Sequence, residues 1–184
     1  NRGFFDGPKP TRLLSQMLHI ANTDHDSVVL DFFSGSATTA HAVFQASAKD
    51  DGNRKFIMVQ LPETIDIKSD AYKAGFQTIA EIGKERIRRA GDKIKAELRE
   101  KYDAQQGQIL VADEDKVMNP DDLDIGFKVF KLDSSNLKKW NPDVDELDAS
   151  LFDSIENFVD GRSELDVVYE VMLKYGIDLT LPIE

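Results

Sequence analysis

Apolar residues first fall into register at Leu14, Met17, Leu18 and Ala21, one face of an amphipathic helix over Thr11–Ala21. Pro8 and Pro10 ahead of it hold the chain extended. After the polar loop 22–27 the pattern changes. Val28-Val29-Leu30 is a short continuous apolar run leading into Asp31-Phe32-Phe33, and it predicts a strand over Val28–Phe33. A run of small residues follows, Ser34-Gly35-Ser36-Ala37, then a helix from Thr38 to about Ala48. Asp51-Gly52 lies in a turn over Lys49–Asn53, and Lys55–Leu61 (KFIMVQL) reads as a second buried strand rich in β-formers. Strand, helix, strand in this order predicts a right-handed βαβ unit with parallel strands.

Beyond the loop 62–69, a long helix is predicted over Ala71–Tyr102, with Ile87, Ala90, Ile94, Leu98 and Tyr102 as its apolar stripe. Glu85 with Arg89 and Glu97 with Lys101 stand at the favourable i,i+4 spacing, and Gly83 and Gly91 are the positions where the helix would break. The basic group Arg86, Arg88 and Arg89 can touch phosphates, but such groups more often form a solvated helix face. Asp113–Asp124 reads as an acidic linker, and Phe127–Leu132 alternates as a half-exposed strand would. Asn141-Pro142 looks like a cap for a helix carrying Leu147, Leu151, Phe152, Ile155 and Phe158, running to about Asp160. Ser163 opens a last helix that Gly176 ends.

Charge divides the chain where the pattern does. Residues 1–110 hold 16 Lys/Arg and 15 Asp/Glu, whereas residues 111–184 hold 7 and 19. The fold class expected is α/β, with a domain over 1–110 and an acidic, mainly helical extension over 111–184. An acidic surface repels DNA phosphates, so it suits solubility or a basic partner. The chain has no Cys, and its three His fit no ligand spacing, so neither a disulfide nor a metal site is expected. No apolar run is long enough to cross a bilayer and no signal peptide is visible; a cytoplasmic location without membrane contact is expected. The absence of an initiator Met suggests a piece of a longer protein.

Chemistry concentrates in Asp31–Thr39. A strand end, a small-residue turn and a helix start expose backbone N–H groups and the positive helix end to a ligand. Asp31 at the strand end suits a cationic or hydroxylated part of that ligand. Gly35 permits a backbone that a Cβ would obstruct, Ser34 and Ser36 let the ligand come close, and Thr38 and Thr39 can cap the helix. A single glycine here argues against the Gly-x-Gly-x-x-Gly turn of dinucleotide oxidoreductases.

Asp-Phe-Phe-Ser-Gly-Ser-Ala-Thr-Thr resembles motif I of DNA amino-methyltransferases, with Ala37 where the family has its second glycine. Phe5-Asp6-Gly7-Pro8-Lys9-Pro10-Thr11 resembles their motif X, which precedes motif I only in the permuted β-class. RKFIMVQLPE and the segments GFKVFKLDSSNLKKW and VVYEVMLKYGIDLTLPIE are similar to the modification subunit of type III restriction systems. The resemblance implies a partial, Rossmann-like methyltransferase sheet with flanking helices that binds S-adenosyl-L-methionine. Asp31 would meet the ammonium end, and Lys9, set among Asp6, Pro8 and Pro10, would meet the carboxylate with Thr38 and Thr39. Gln60 would stand where relatives place an acid for the ribose, and Phe33, Leu61 and Pro62 would flank the adenine.

The family's catalytic Asp/Asn-Pro-Pro-Tyr tetrapeptide does not occur in the chain, and Asn141-Pro142-Asp143-Val144 does not replace it. The expectation is therefore a C-terminal part of a DNA adenine-N6 methyltransferase, inactive alone, whose catalytic and base-reading regions would lie upstream. DNA would be a partner through that missing region. A homodimer, or a terminal segment, would cover the open edge of the first strand, and a restriction subunit is a further partner. The alternative is a docking module for a restriction-modification complex, with no cofactor of its own.

Overall fold

The computed structural model describes residues 7–106, 116–138 and 157–183. It divides into two compact units, Asn1–Gly126 and Phe127–Glu184, whereas the charge shift in the sequence lies near residue 110.

In the first unit α1 (Thr11–Ile20) buries Leu14 and Leu18 against Ala42 and Val43 of α2 (Thr38–Asp50). β1 (Val28–Asp31) and β2 (Lys55–Met58) pair in parallel, Val28 opposite Lys55 through Asp31 opposite Met58. The crossover helix that a parallel pair requires is α2. Both strands are shorter than predicted, because the chain turns at Phe32-Phe33, although Ser34 N–H still reaches Val59 O at 3.1 Å. Val29 and Phe56 point toward the helices, and the Phe56 ring meets Phe44 edge-on at 5.4 Å. Val28, Leu30 and Ile57 alternate onto the other face and are exposed, so the strands expected to be buried are covered on one face alone. Arg54 locks the crossover: its guanidinium donates to both Asp50 oxygens at 2.7 Å and to Thr23 O at 3.0 Å.

The predicted long helix is two. α3 (Asp70–Lys73) is capped by Ser69, and α4 (Ile79–Gln106) runs unbroken through Gly83 and Gly91. The interruption falls at residues 74–78, where Gly75 takes φ +97° and Thr78 bridges back to Thr64. The helical glycines serve close packing instead. A Cβ on Gly83 would stand 3.2 Å from Gly35 O, and one on Gly91 would stand 3.0 Å from Ile125 Cβ. Glu85 pairs with Arg89 as expected, whereas Glu97 reaches back to Lys93 at 3.6 Å. The described part of the expected acidic linker lies against α4. Pro120 and Leu123 are buried, Asp121 meets Arg99 at 2.6 Å, and Val117 N–H donates to Gln105 Oε1 at 2.8 Å.

In the second unit Phe127–Leu132 forms no strand. Phe130 instead meets the Tyr169 ring at 4.9 Å, and Lys128 Nζ donates to Leu179 O and Leu181 O. Most of the helix predicted after Asn141-Pro142 falls outside the described residues. Its expected end does not hold, because Phe158 pairs with Leu137 as an isolated bridge and residues 157–160 are not helical. α5 (Glu164–Lys174) starts with a capping box between Ser163 and Asp166, and Gly176, at φ +69°, follows its end. Glu170 ties α5 to the preceding loop: it accepts from Ser135 Oγ, from Asn136 N–H at 2.6 Å and from Lys174 Nζ at 2.7 Å. Those donors, Lys174 foremost, hold its carboxyl down at about 2.

A carboxyl so depressed stabilises the fold fully above its ordinary pKa and loses that contribution as pH falls toward the folded value. Glu170→Gln is therefore expected to loosen α5 at pH 7 and to match the wild type near pH 2. Helicity followed by circular dichroism across that range checks this; parallel curves at every pH would count against the Glu170 clamp.

Candidate functional site

The loop between β1 and α2 is fixed from three directions. From the sheet, Val59 N–H donates to Asp31 O at 2.9 Å, and Gln60 Oε1 accepts from Gly35 N–H at 2.7 Å. From within, Ala37 N–H closes a turn onto Ser34 O at 2.8 Å, and Thr39 Oγ1 donates to Asp31 Oδ2 at 2.5 Å. From α4, Arg86 Nη1 donates to Ser36 Oγ at 2.9 Å. Gly35 and Ala37 both take left-handed backbone, at φ +52° and +55°. Glycine does so freely, whereas alanine's Cβ costs on the order of 1 kcal/mol there. The geometry that a second glycine would give is thus kept without one.

Ala37 is the N-cap of α2 and offers no side chain to its first N–H groups. Thr38 and Thr39, expected as caps, are buried instead, and the Thr39 hydroxyl proton goes to Asp31. What remains is an uncapped helix start beside a half-buried carboxylate. Such a place attracts an anion at the amides and a cation or hydroxyl at the acid. Gln60 uses its oxygen on Gly35, and its Nε2 donates to Leu61 O at 3.3 Å.

Of the residues singled out in the sequence, Asp31, Ser34, Gly35, Ser36, Thr38, Thr39 and Gln60 come together at this loop. Phe33 and Leu61 flank it as exposed apolar groups, and Phe33 meets the Phe32 ring edge-on at 5.4 Å. Lys9 and Pro10 are exposed ahead of α1, and no hydrogen bond among the described residues joins them to the loop. Asp6 lies outside the described residues. A hollow of about 330 Å³ lined in part by Phe76, Glu81, Lys84 and Arg88 lies at the head of α4 and includes none of the loop residues. Among the described residues no cluster of acids and histidines could hold a metal, and no helix is long and apolar enough to cross a membrane.

Two contributors escaped the sequence reading. The sequence alone presents Gly83 as a helix breaker and Arg86 as one of three basic residues on a helix face. The three-residue spacing sets Arg86 beside Gly83 at the margin of the buried stripe, and Arg86 is half-buried where Arg88 and Arg89 are exposed. His41 of α2 stands near Arg86 and Lys93. Burial first, then those two cations, push its pKa below the ordinary value, and only Glu97 opposes them.

About half the chain has close counterparts. It is 49% identical over 92 residues to the Mod subunit of the type III restriction-modification enzyme StyLTI of Salmonella typhimurium. It is 48% identical over 83 residues to the EcoPI Mod subunit of Escherichia phage P1. The type II methyltransferase M.KpnI of Klebsiella pneumoniae is 35% identical over 88 residues. The alignments take in 45–50% of this chain but 13–21% of those proteins. No family model matches the chain. The matched half is thus similar to methyltransferase sequences, and the chain resembles a part of a type III modification subunit.

Because His41 is disfavoured as a cation in the fold, its contribution to stability is complete above the ordinary histidine pKa of about 6.5 and declines as pH drops below it. Urea unfolding between pH 8 and 5 should show this decline in the first unit, and His41→Gln should flatten it. An equal slope in the variant would assign the decline to other groups.

Proposed function

We propose that this chain is the cofactor-binding part of a site-specific DNA methyltransferase of the type III modification-subunit kind, holding S-adenosyl-L-methionine on the Asp31–Thr39 loop. The observation that carries the reading is the coincidence of two things. The chain is 48–49% identical to named Mod subunits over about half its length, and it folds a half-buried acid beside an uncapped helix start. The bound group supplies a methyl on a sulfonium. The chain's own residues bind and orient it: Asp31 takes the ammonium, and the first amides of α2 take the carboxylate with Lys9. Gln60 offers its remaining amide hydrogen to the ribose, and Phe33 and Leu61 cover the adenine. Thr39 orients the Asp31 carboxylate rather than meeting the ligand's own carboxylate, since its proton is already placed.

On this reading β1 and β2 belong to a larger Rossmann-like sheet, and the open face bearing Val28, Leu30 and Ile57 is covered in a longer protein. The transfer, to N6 of adenine in DNA, needs a catalytic tetrapeptide that this sequence lacks. A homodimer and a restriction subunit are the proposed protein partners. A docking role for residues 127–184 is favoured by the exposed Leu132, Leu173 and Tyr175 on an acidic segment.

Calorimetry with S-adenosylhomocysteine tests the cofactor reading. Asp31→Ala and Lys9→Ala should each weaken binding by roughly tenfold or more, the scale of one charge-assisted hydrogen bond. Unchanged affinity in both folded variants, or no binding by the wild type, would overturn it.

A further inference from the structure

We propose that Arg86 is a positioning residue for the cofactor loop, acting through the hydroxyl of Ser36; the inference rests on the reading of that loop as a cofactor site. The two residues are 50 positions apart and meet at 2.9 Å. Ser36 is 4% exposed, so its hydroxyl lacks water and depends on a protein partner. Arg86 is that partner. Its position is costly for a cation, since burial lowers its pKa and no carboxylate among the described residues lies within ion-pair distance of it. Arg88 and Arg89, on the same helix, are exposed and both lie against Glu85. A half-buried guanidinium aimed at a neutral hydroxyl rather than a carboxylate calls for a role that an ordinary surface arginine does not have.

The geometry of the loop supplies that role. Ser34 and Gly35 are held from the β2 side, by Val59 O and Gln60 Oε1. Ser36 lies between the two left-handed residues Gly35 and Ala37, and its side chain is held from α4. The peptides that follow carry the N–H groups at the start of α2. Their direction therefore depends on a link that α4 makes through Arg86. Gly83, one turn earlier, lets the helix come close enough to make it.

The test uses the full chain with Arg86→Gln, Arg86→Lys, Ser36→Ala and the Arg86→Gln/Ser36→Ala pair. Calorimetry reads S-adenosylhomocysteine affinity, and NMR reads the Gly35 and Ala37 amides without ligand. Arg86→Gln and Ser36→Ala are each expected to shift both amides and to weaken binding by about tenfold, the scale of a hydrogen bond to a charged group. The pair should be no weaker than either single variant, and Arg86→Lys, which keeps a cationic donor at nearly the same reach where the glutamine amide falls short, should recover most of the affinity. Additive losses, unmoved amides, or a lysine variant as weak as the glutamine one would overturn the proposal. Should Arg86→Gln fail to fold, Ser36→Ala breaks the same bond and leaves the cation in place. Failure of the wild type to bind S-adenosylhomocysteine would sink the cofactor reading alone, because the amide shifts judge the positioning link without any ligand.

Discussion

Helix α4 can touch the backbone of the β1–α2 loop because Gly83 carries no side chain. The site that a Cβ would occupy stands 3.2 Å from Gly35 O and 3.5 Å from the Ala37 Cβ. That approach adds a third support to a loop otherwise held by the sheet and by its own turn. It buries Ala37 and Ser36, gives the Ser36 hydroxyl its arginine, and sets α4 along α2 so that Ile87, Ala90 and Ile94 face the core. A loop with two left-handed residues, one of them alanine, is strained relative to an ordinary turn. Contacts from both sides are what keep it in one conformation.

The first unit is built on one side only. α1 and α4 both pack on α2, and Val43 is fully buried. The opposite face of the two-stranded sheet presents Val28, Leu30 and Ile57 to solvent. Parallel strands are normally covered on both faces, whereas this pair is covered on one. The loop does not depend on that open face, since every bond described for it runs to β1, β2, α2 or α4 and its immediate connections.

How much of this the sequence disclosed follows from which forces are local. α1, β1, α2 and β2 were legible because hydrophobic period and turn residues act within a few positions, and so was the final helix with its serine cap and terminal glycine. The meeting of Asp31, Gly35, Thr39 and Gln60 was legible as a group, because strand ends in a βαβ unit converge. The function of Gly83 and Gly91 was not. A glycine in a helix costs propensity locally, and only the partner backbone, distant in sequence, reveals the gain. The break at residues 74–78 was hidden for a related reason, since it depends on the pairing of Thr78 with Thr64. Phe127–Leu132 misled because its alternation suits a strand, while the aromatic face found a helix, through Tyr169, rather than a second strand. In each case a tertiary partner overrode a local preference.

Gln60 shows the same economy at a single position. Its oxygen accepts from Gly35 N–H while its nitrogen still carries a hydrogen beyond the one directed at Leu61 O. A carboxylate there could accept from Gly35 equally well, but it would offer no donor and would add a second negative charge to a loop that already holds Asp31. On the proposed reading a single charge meets the ligand's cation, and two like charges side by side would repel each other. An amide ties strand to loop and leaves Asp31 the sole anion among the described loop residues. The departure from an acid at the end of β2 is therefore consistent with a site whose charge is concentrated on one residue and whose shape is enforced by neutral bonds around it.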